Sequence, residues 1–521
     1  MLPVTRQFDA ALRVVGRLRA AGYEAYLAGG CVRDLLLGRV PVDYDVATSA
    51  TPGVVLGLFE RTFAVGAHFG VVLVADGGTC GAADGVGAPE EDMAAGRYAT
   101  TEVATFRSDG AYSDGRHPDA VRYTASAEED VRRRDFTING LLLDPFFSRK
   151  AGPSTSHPSD EDLSPGTPVC SAAAATRTED NNPGLIAEAD ERPITYLEML
   201  RSAVIDYVGG VGDLDAGVVR AIGRAELRFE EDHLRMLRGV RFAARFDFKL
   251  EEGTAAAIRR LAPRIHAVSR ERVRDELTKM LTEGRARRAF ELLEETGLLA
   301  EVLPEVARMK GVEQPAQFHP EGDVWVHTLG LLEQLEAGCP MTLAWGALLH
   351  DVGKPPTFRR APDRIRFDGH VEVGVAVAAE ICRRFRFSNE EMRQTLALIE
   401  NHMRFMDAPR MKAATLKRFF RLEGFEEHLA LHRMDCMAAS GNLENWELAR
   451  ARFLSMPEEV VMPTPLITGR ELIAAGYAPG AGFREMLRAV EDAQLEGTIT
   501  TEDEALRLVR ERFGVGKAAD N

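Results

Sequence analysis

No run of 18 apolar residues occurs anywhere in the 521-residue chain, so no membrane-spanning helix is expected. Cysteine is scarce. The six thiols, at 31, 80, 170, 339, 382 and 436, are scattered and form no CxxC pair, which argues against a disulfide framework and fits reduced thiols in the cytoplasm. Positive charge is also in deficit. Lys and Arg number 64 against 80 Asp and Glu, a net charge of −16, so contact with a nucleic acid must use a local patch. The N-terminal stretch lacks the apolar core and cleavage site of a signal peptide. Thr5–Ala21 instead predicts an amphipathic helix with Phe8, Leu12, Val15 and Leu18 on one face. The apolar content of 45% is ordinary, and the length predicts three or four domains.

What is present is concentrated first between Leu27 and Thr48, LAGGCVRDLLLGRVPVDYDVAT. The pair Gly29-Gly30 lets backbone N–H groups approach phosphate oxygens with no Cβ in the way. Arg33, three residues on, can pair with those phosphates. Asp43 and Asp45 alternate with Val40, Val42, Tyr44 and Val46, which predicts a strand over Asp43–Ala47 with the acids on one face and the apolar residues on the other. Carboxylates two apart on a strand lie roughly 6–7 Å apart, a spacing that suits two Mg²⁺ ions about 3.5–4 Å apart. Together these residues describe a site for a nucleoside triphosphate and its metals. A lone glycine pair is more often a turn, and a lone Asp-x-Asp a solvated strand end; their order and spacing favour the site.

Residues 1–145 have an α/β pattern, with a short helix at Asp34–Leu37 and further strands at Gly70–Ala75, Glu102–Phe106 and Ala120–Tyr123. Residues 79–97 are rich in Gly, Ala and acids, as in an extended hairpin tip. Between Ala151 and Pro193 there are six prolines and eight acids against two arginines, with no hydrophobic period; 146–193 is expected to be a disordered insertion that lengthens a surface loop. From 194 the pattern is mostly helical. Residues 228–288 hold 16 Lys and Arg against 10 Asp and Glu, the local patch that the whole chain lacks.

Three further groups carry chemistry. In Arg133-Arg134-Asp135-Phe136-Thr137-Ile138-Asn139, Arg134 can meet a triphosphate, while Asp135 and Asn139 can fix a ribose hydroxyl or the loop itself; a charged helix start is the plainer alternative. Asp232, Arg235, Arg238 and Arg241 recur every three residues, with Arg245 beyond. Such a stripe can offer an acceptor and donors to a nucleobase edge, or simply be a salt-bridged surface helix. His327, His350-Asp351 and Asp435, with His370 and His402 between them, can ligate a divalent metal and activate a water.

These motifs, in this order, resemble the class II tRNA nucleotidyltransferase and bacterial poly(A) polymerase family. LAGGCVRDLLLGRVPVDYDVAT resembles the motif holding the triphosphate turn and metal carboxylates, and RRDFTING the motif contacting the nucleotide sugar and phosphates. VIDYVGGVGDLDAGVVRAIG resembles the hinge between head and neck, EDHLRMLRGVRF the base-reading motif, RERVRDELTKML the next neck helix, and PLITGRELIAAGYAPGAGF the tail. The His/Asp set resembles an HD domain, found in a subset of these enzymes.

The resemblance implies an α+β multidomain chain: a nucleotidyltransferase head with a mixed β-sheet over 1–145, the insertion to 203, a helical neck over 204–300, an HD body over 301–450 and a helical tail over 451–521. It implies template-independent addition of C, then A, to the tRNA 3′ end from CTP and ATP. Asp43 and Asp45 would hold Mg²⁺, with Glu102 of TEVATFR a third carboxylate. Gly29, Gly30 and Arg33 would hold the phosphates. Asp232 and Arg235 would select the base, with Arg238 and Arg241 in support. RSDGAYSDGRHPDA, at 107–120, matches the loop that accompanies the switch from C to A. The HD metal is left open.

An A-adding enzyme or a poly(A) polymerase shares these motifs, although poly(A) polymerases usually carry a basic C-terminal extension and Arg510–Asn521 holds only three basic side chains. An HD phosphohydrolase with a degenerate head is disfavoured by the intact Asp-x-Asp, Arg-Arg-Asp and Glu-Asp-x-x-Arg. A non-catalytic RNA-binding protein fits poorly with the net acidity and the retained carboxylates.

Overall fold

The structure is a computed structural model, and it describes residues 5–63, 70–76, 99–109, 121–147, 196–317, 319–320 and 322–514. The expected hairpin tip at 79–97, most of the 107–120 loop and nearly all of the 146–193 insertion lie outside these residues. The chain divides into two compact units, Met1–Leu261 and Ala262–Asn521.

The first unit is built on a seven-stranded sheet in the order β3-β4-β5-β2-β1-β8-β9. Its strands are β1 (Ala25–Ala28), β2 (Asp45–Thr48), β3 (Thr62–Phe63), β4 (Val71–Asp76), β5 (Ala99–Thr105), β8 (Leu141–Leu143) and β9 (Val204–Asp206); β6 (Arg107–Asp109) and β7 (Val121–Tyr123) form a separate ribbon. Every neighbouring pair in the large sheet is antiparallel except β2 and β5, so the sheet is mixed as expected. Helix α1 (Arg6–Ala20) packs on it through Phe8, Val14, Val15 and Leu18, while Leu12 is only partly buried. Thr5 caps this helix by accepting from the Phe8 N–H at 3.1 Å.

Three expectations are corrected here. The strand expected at Asp43–Ala47 begins only at Asp45, and Val42 is 84% and Val40 61% exposed rather than turned to a core. The cause is the partner strand. Ala28 pairs with Asp45, and the next residue, Gly29, turns away with φ 72° into helix α2 (Gly30–Leu36), leaving residues before Asp45 no ladder on that side. Strand β9 lies beyond the insertion, where the helical neck was expected to begin. It is nonetheless the edge of the head sheet, pairing Leu142 with Ile205. The neck also carries a parallel two-stranded pair, Val218–Val219 with Lys249–Leu250, and so is not all helix.

The arginine stripe falls on helix α3 (Leu234–Phe246), whose Met236, Leu237, Val240 and Ala243 are buried. In the second unit the helices that matter are α4 (Val324–Glu333), α5 (Met341–Leu349), α6 (His370–Arg384), α7 (Asn389–Asn401) and α8 (Phe425–Ala438). An aromatic cluster of Phe405, Phe419, Phe420 and Phe425 supports α8, and a separate core around Leu472, Tyr477, Val490 and Val509 holds the last helices together. Among the described residues, no helix is long and apolar enough to cross a membrane.

Candidate functional site

In the first unit, the parallel pairing of β2 with β5 sets Val46 opposite Val103, which places Asp45 beside Glu102. Val46 and Val103 are buried, so the two carboxylates share the opposite, open face. Asp43, exposed just before the strand, completes a group of three acids. Burial, with the charges of Asp43 and Glu102 beside it, pushes the Asp45 carboxyl up to about 7. The three carboxylates are near enough for Asp43 and Glu102 to disfavour the Asp45 anion, and they suit hard divalent cations, which would neutralise that repulsion. The Gly29 turn lies alongside. Gly29 has φ 72°, a left-handed conformation that favours glycine, and a Cβ there would sit 3.0 Å from Arg134 Nη1. Arg134 is also near enough to Asp45 to oppose the rise in its pKa.

Arg33 is placed differently from its expected role at the phosphates. It is 4% exposed, and its Nε and Nη2 contact Asp34 Oδ1 at 2.9 and 2.8 Å. Its Nη1 donates to Asn139 Oδ1. Asn139 Nδ2 in turn donates to Asp135 Oδ1 at 3.1 Å, and Arg238 Nε donates to Asp135 Oδ2 at 2.8 Å. Burial alone would raise the Asp135 carboxyl, but Arg238 and Asn139 outweigh it and hold it down at about 2. The guanidinium of Arg33 also lies over the ring of Phe246 at 4.5 Å and that of Phe242 at 5.4 Å, both on α3.

The residues expected to read the base are held by their neighbours. Asp232 Oδ1 accepts from the Leu234 N–H at 3.0 Å at the start of α3. Arg235 Nη1 donates to Glu231 Oε2 at 2.5 Å and to the Arg228 carbonyl at 3.1 Å. Arg241 departs from the expected open edge: it is 6% exposed and lies 4.5 Å over Phe242. A step of three residues turns a helix about 60° short of a full turn, so a three-residue repeat wraps around the cylinder rather than following one edge.

The second unit brings together all six of the His/Asp candidates. Two triplets, His327–His350–Asp435 and Asp351–His370–His402, each have ligand atoms within 4.8 Å of one another. The approach of α6 is allowed by Gly353, where a Cβ would sit 2.0 Å from the His370 carbonyl oxygen. His350, His370 and His402 repeat one device. Each ring turns Nδ1 to the carbonyl three residues earlier, at 2.9, 3.0 and 2.7 Å, which makes Nδ1 the proton donor. The Nε2 atoms of His370 and His402 are then buried lone pairs without a hydrogen-bond partner, and that of His350, likewise without one, stands 3.1 Å from Asp351 Oδ2. Orphaned, oriented imidazole nitrogens beside two carboxylates fit a divalent metal site. Burial pushes His402 down to about 4 and lowers His370, so both stay neutral at physiological pH. Burial would raise Asp351, but His350 and Lys354 outweigh it and hold the carboxyl well below its usual range. Four of the six, Asp351, His370, His402 and Asp435, line a cavity of about 630 Å³, shared with His319, Met403 and Asn445.

Two partners escaped the sequence reading. Lys354 Nζ lies 2.7 Å from Asp351 Oδ2 and 2.6 Å from Gln314 Oε1; its place three residues after Asp351 was the available signal. Asp130, 1% exposed, accepts from Arg133 at 2.6 Å and Arg134 at 3.0 Å, an i,i+3 and i,i+4 pattern visible beforehand.

Comparison with known proteins finds the Poly A polymerase head domain at residues 25–151, a probable RNA and SrmB-binding site of polymerase A at 247–310, and an HD domain at 324–439. The CCA-adding enzyme of Geobacillus stearothermophilus is 28% identical over 501 residues, covering 96% of this chain and 95% of that protein. That of Lactobacillus gasseri is 35% identical over 295 residues, a match spanning 57% of this chain and 55% of the relative. Among solved structures, the CCA-adding enzyme of Bacillus stearothermophilus in complex with CTP superposes with a TM-score of 0.65 at 26% identity, covering 98% of both chains.

Proposed function

Because the chain belongs to the family of poly(A) polymerases and CCA-adding tRNA nucleotidyltransferases, with an HD domain, we propose that it completes the tRNA 3′ end by adding C, C and A from CTP and ATP. The observation that carries the chemistry is the placing of Asp45 beside Glu102, next to the glycine turn. The three carboxylates hold divalent cations, which we take to be Mg²⁺. Two such ions, when bound, acidify the tRNA 3′-hydroxyl and neutralise the triphosphate. The Gly29-Gly30 turn offers backbone N–H groups to the phosphates, and Arg134, beside that turn, is the guanidinium placed to meet them. The 3′-hydroxyl attacks the α-phosphate in line and pyrophosphate leaves. Asp232 and Arg235 select the base through hydrogen bonds to its edge, which needs no nucleic-acid template. A tRNA substrate and six unpaired-by-pattern thiols support a cytoplasmic setting.

The test is to offer tRNA ending before the first C, after CC, or complete, with CTP and ATP supplied separately. Products that stop at CCA support the reading. Addition of A alone would make it an A-adding enzyme, and long A tracts a poly(A) polymerase.

The raised Asp45 carboxyl gives a pH dependence of defined sign. Its ordinary value is 3.8 and its value here about 7. The proton is therefore favoured by the folded, metal-free state, and the stability it brings is present below pH 4 and lost as the pH rises through 7. A divalent ion must displace that proton, so Mg²⁺ affinity is expected to be about tenfold weaker at pH 6 than at pH 8, with about one proton released at pH 6. Titration calorimetry in two buffers of different ionisation enthalpy reads both quantities. Affinity unchanged across this range would contradict the role given to Asp45.

A second activity is supported by the six converging His/Asp ligands and their orphaned Nε2 atoms. We read the HD site as a metal phosphohydrolase acting on phosphate esters, independent of the carboxylates in the head.

A further inference from the structure

Arg33, Asn139, Asp135 and Arg238 come from distant parts of the sequence yet form one unbroken chain with Asp34, buried except at Arg238, whose side chain is 35% exposed. At one end, Arg33 and Asp34 lie on α2, the helix that begins at the glycine turn. At the other, Arg238 lies on α3, one turn after Arg235. Between them, Asn139 is committed in both directions, its Oδ1 accepting from Arg33 and its Nδ2 donating to Asp135. Asp135 is filled as well: Oδ1 also accepts from the Phe136 N–H at 2.8 Å, and Oδ2 takes the Arg238 fork. Arg33 adds a second tie by stacking over Phe246 and Phe242 of the same helix. Arg33, Asn139 and Asp135, so buried and so occupied, are poorly placed to contact a nucleotide, but with Arg238 they join the turn to the helix that carries Arg235.

We propose that the hydrogen-bonded chain Asp34–Arg33–Asn139–Asp135–Arg238 governs nucleotide selectivity by fixing the base-reading helix against the phosphate-binding turn, with Arg33 and Asn139 as positioning residues rather than ligands. The inference rests on the nucleotide-addition reading above. Cytosine and uracil differ only in the donors and acceptors of their pairing edge, so telling them apart depends on Asp232 and Arg235 being held to a fraction of an ångström. Phosphate binding, by contrast, relies on the turn itself and on Arg134. Loosening the chain should therefore let the base reader drift while phosphate affinity persists.

The experiment compares wild type with Asn139→Ala, which cuts the chain at its middle, and Asp135→Asn, which keeps the shape but removes the ion pair. Each variant is first shown to be folded by thermal unfolding. kcat/KM for CTP and for UTP is then measured on tRNA ending before the first C, and the Kd for magnesium pyrophosphate is measured by calorimetry. For at least one folded variant, the CTP preference is expected to fall by about tenfold, while pyrophosphate affinity stays within about twofold. A CTP preference retained within about threefold, with both substrates slowed alike, would reduce the chain to a structural support and overturn the proposal. Pyrophosphate binding weakened by about fivefold or more would make these residues ligands and overturn it equally. Wild type that adds nothing to any tRNA is a different result: it removes the parent reading, and this inference with it.

Discussion

Asp45→Asn is expected to lower kcat/KM for CTP addition by about a thousandfold or more, an effect of about 4 kcal/mol on the transition state. The amide keeps the shape of the side chain but cannot supply the negative charge with which Asp45, together with Asp43 and Glu102, would hold a divalent cation. The same substitution is expected to stabilise the metal-free fold. Burial and two neighbouring carboxylates disfavour the Asp45 anion; removing it at pH 8 should bring about 1–3 kcal/mol, after allowance for solvent screening of a partly exposed group. A single-turnover assay and a thermal melt on one preparation check both. An inactive variant that is also less stable would point to a folding defect, and an active one would end the metal-carboxylate assignment.

Asp351→Asn is expected to empty the HD site. Asp351 Oδ2 lies 3.1 Å from His350 Nε2 and 3.9 Å from His327 Nε2, and its Oδ1 lies 3.9 Å from both His370 and His402 Nε2. It is thus the one group adjacent to four of the imidazoles. Metal content after purification, read by elemental analysis, should fall about tenfold or more, and any phosphatase activity should vanish with it. Nucleotide addition should stay within about twofold of wild type, since the head carboxylates are untouched. Lys354 keeps Gln314 as a partner, which limits the cost of an unpaired buried ammonium. Paired with Asp45→Asn, this variant separates the two chemistries. Loss of nucleotide addition in Asp351→Asn would show that the sites are not independent.

Much of this was legible in the residues. The glycine turn and the His/Asp candidates were picked out from the residues themselves, with His370 and His402 as possible members, while the mixed sheet followed from the family resemblance. Where the reading departed from the structure, the missing information was tertiary. Alternation over Val40–Val46 suggested a longer strand, but a strand needs a neighbour, and β1 ends at Ala28. Arg33 looked like a phosphate ligand because it follows a glycine pair; nothing local announced that Asn139, more than a hundred residues on, would claim its donors. Arg241 fitted a three-residue stripe whose drift carried it inward. Gln314, the partner of Lys354, sits in a loop with no sequence signal at all.

The placing of β9 bears on how the chain is made. Val204–Asp206 closes one edge of the head sheet against β8, whose Leu141, Leu142 and Leu143 are all buried. During synthesis, β8 leaves the ribosome about 60 residues ahead of its partner, a delay of roughly 3–12 seconds at translation rates of about 5–20 residues per second. For that interval the nascent head presents an unpaired, leucine-rich strand edge, the kind that templates aggregation. The head is therefore a domain whose last strand arrives late, and its need for chaperone protection should be greatest while residues 144–203 are being translated.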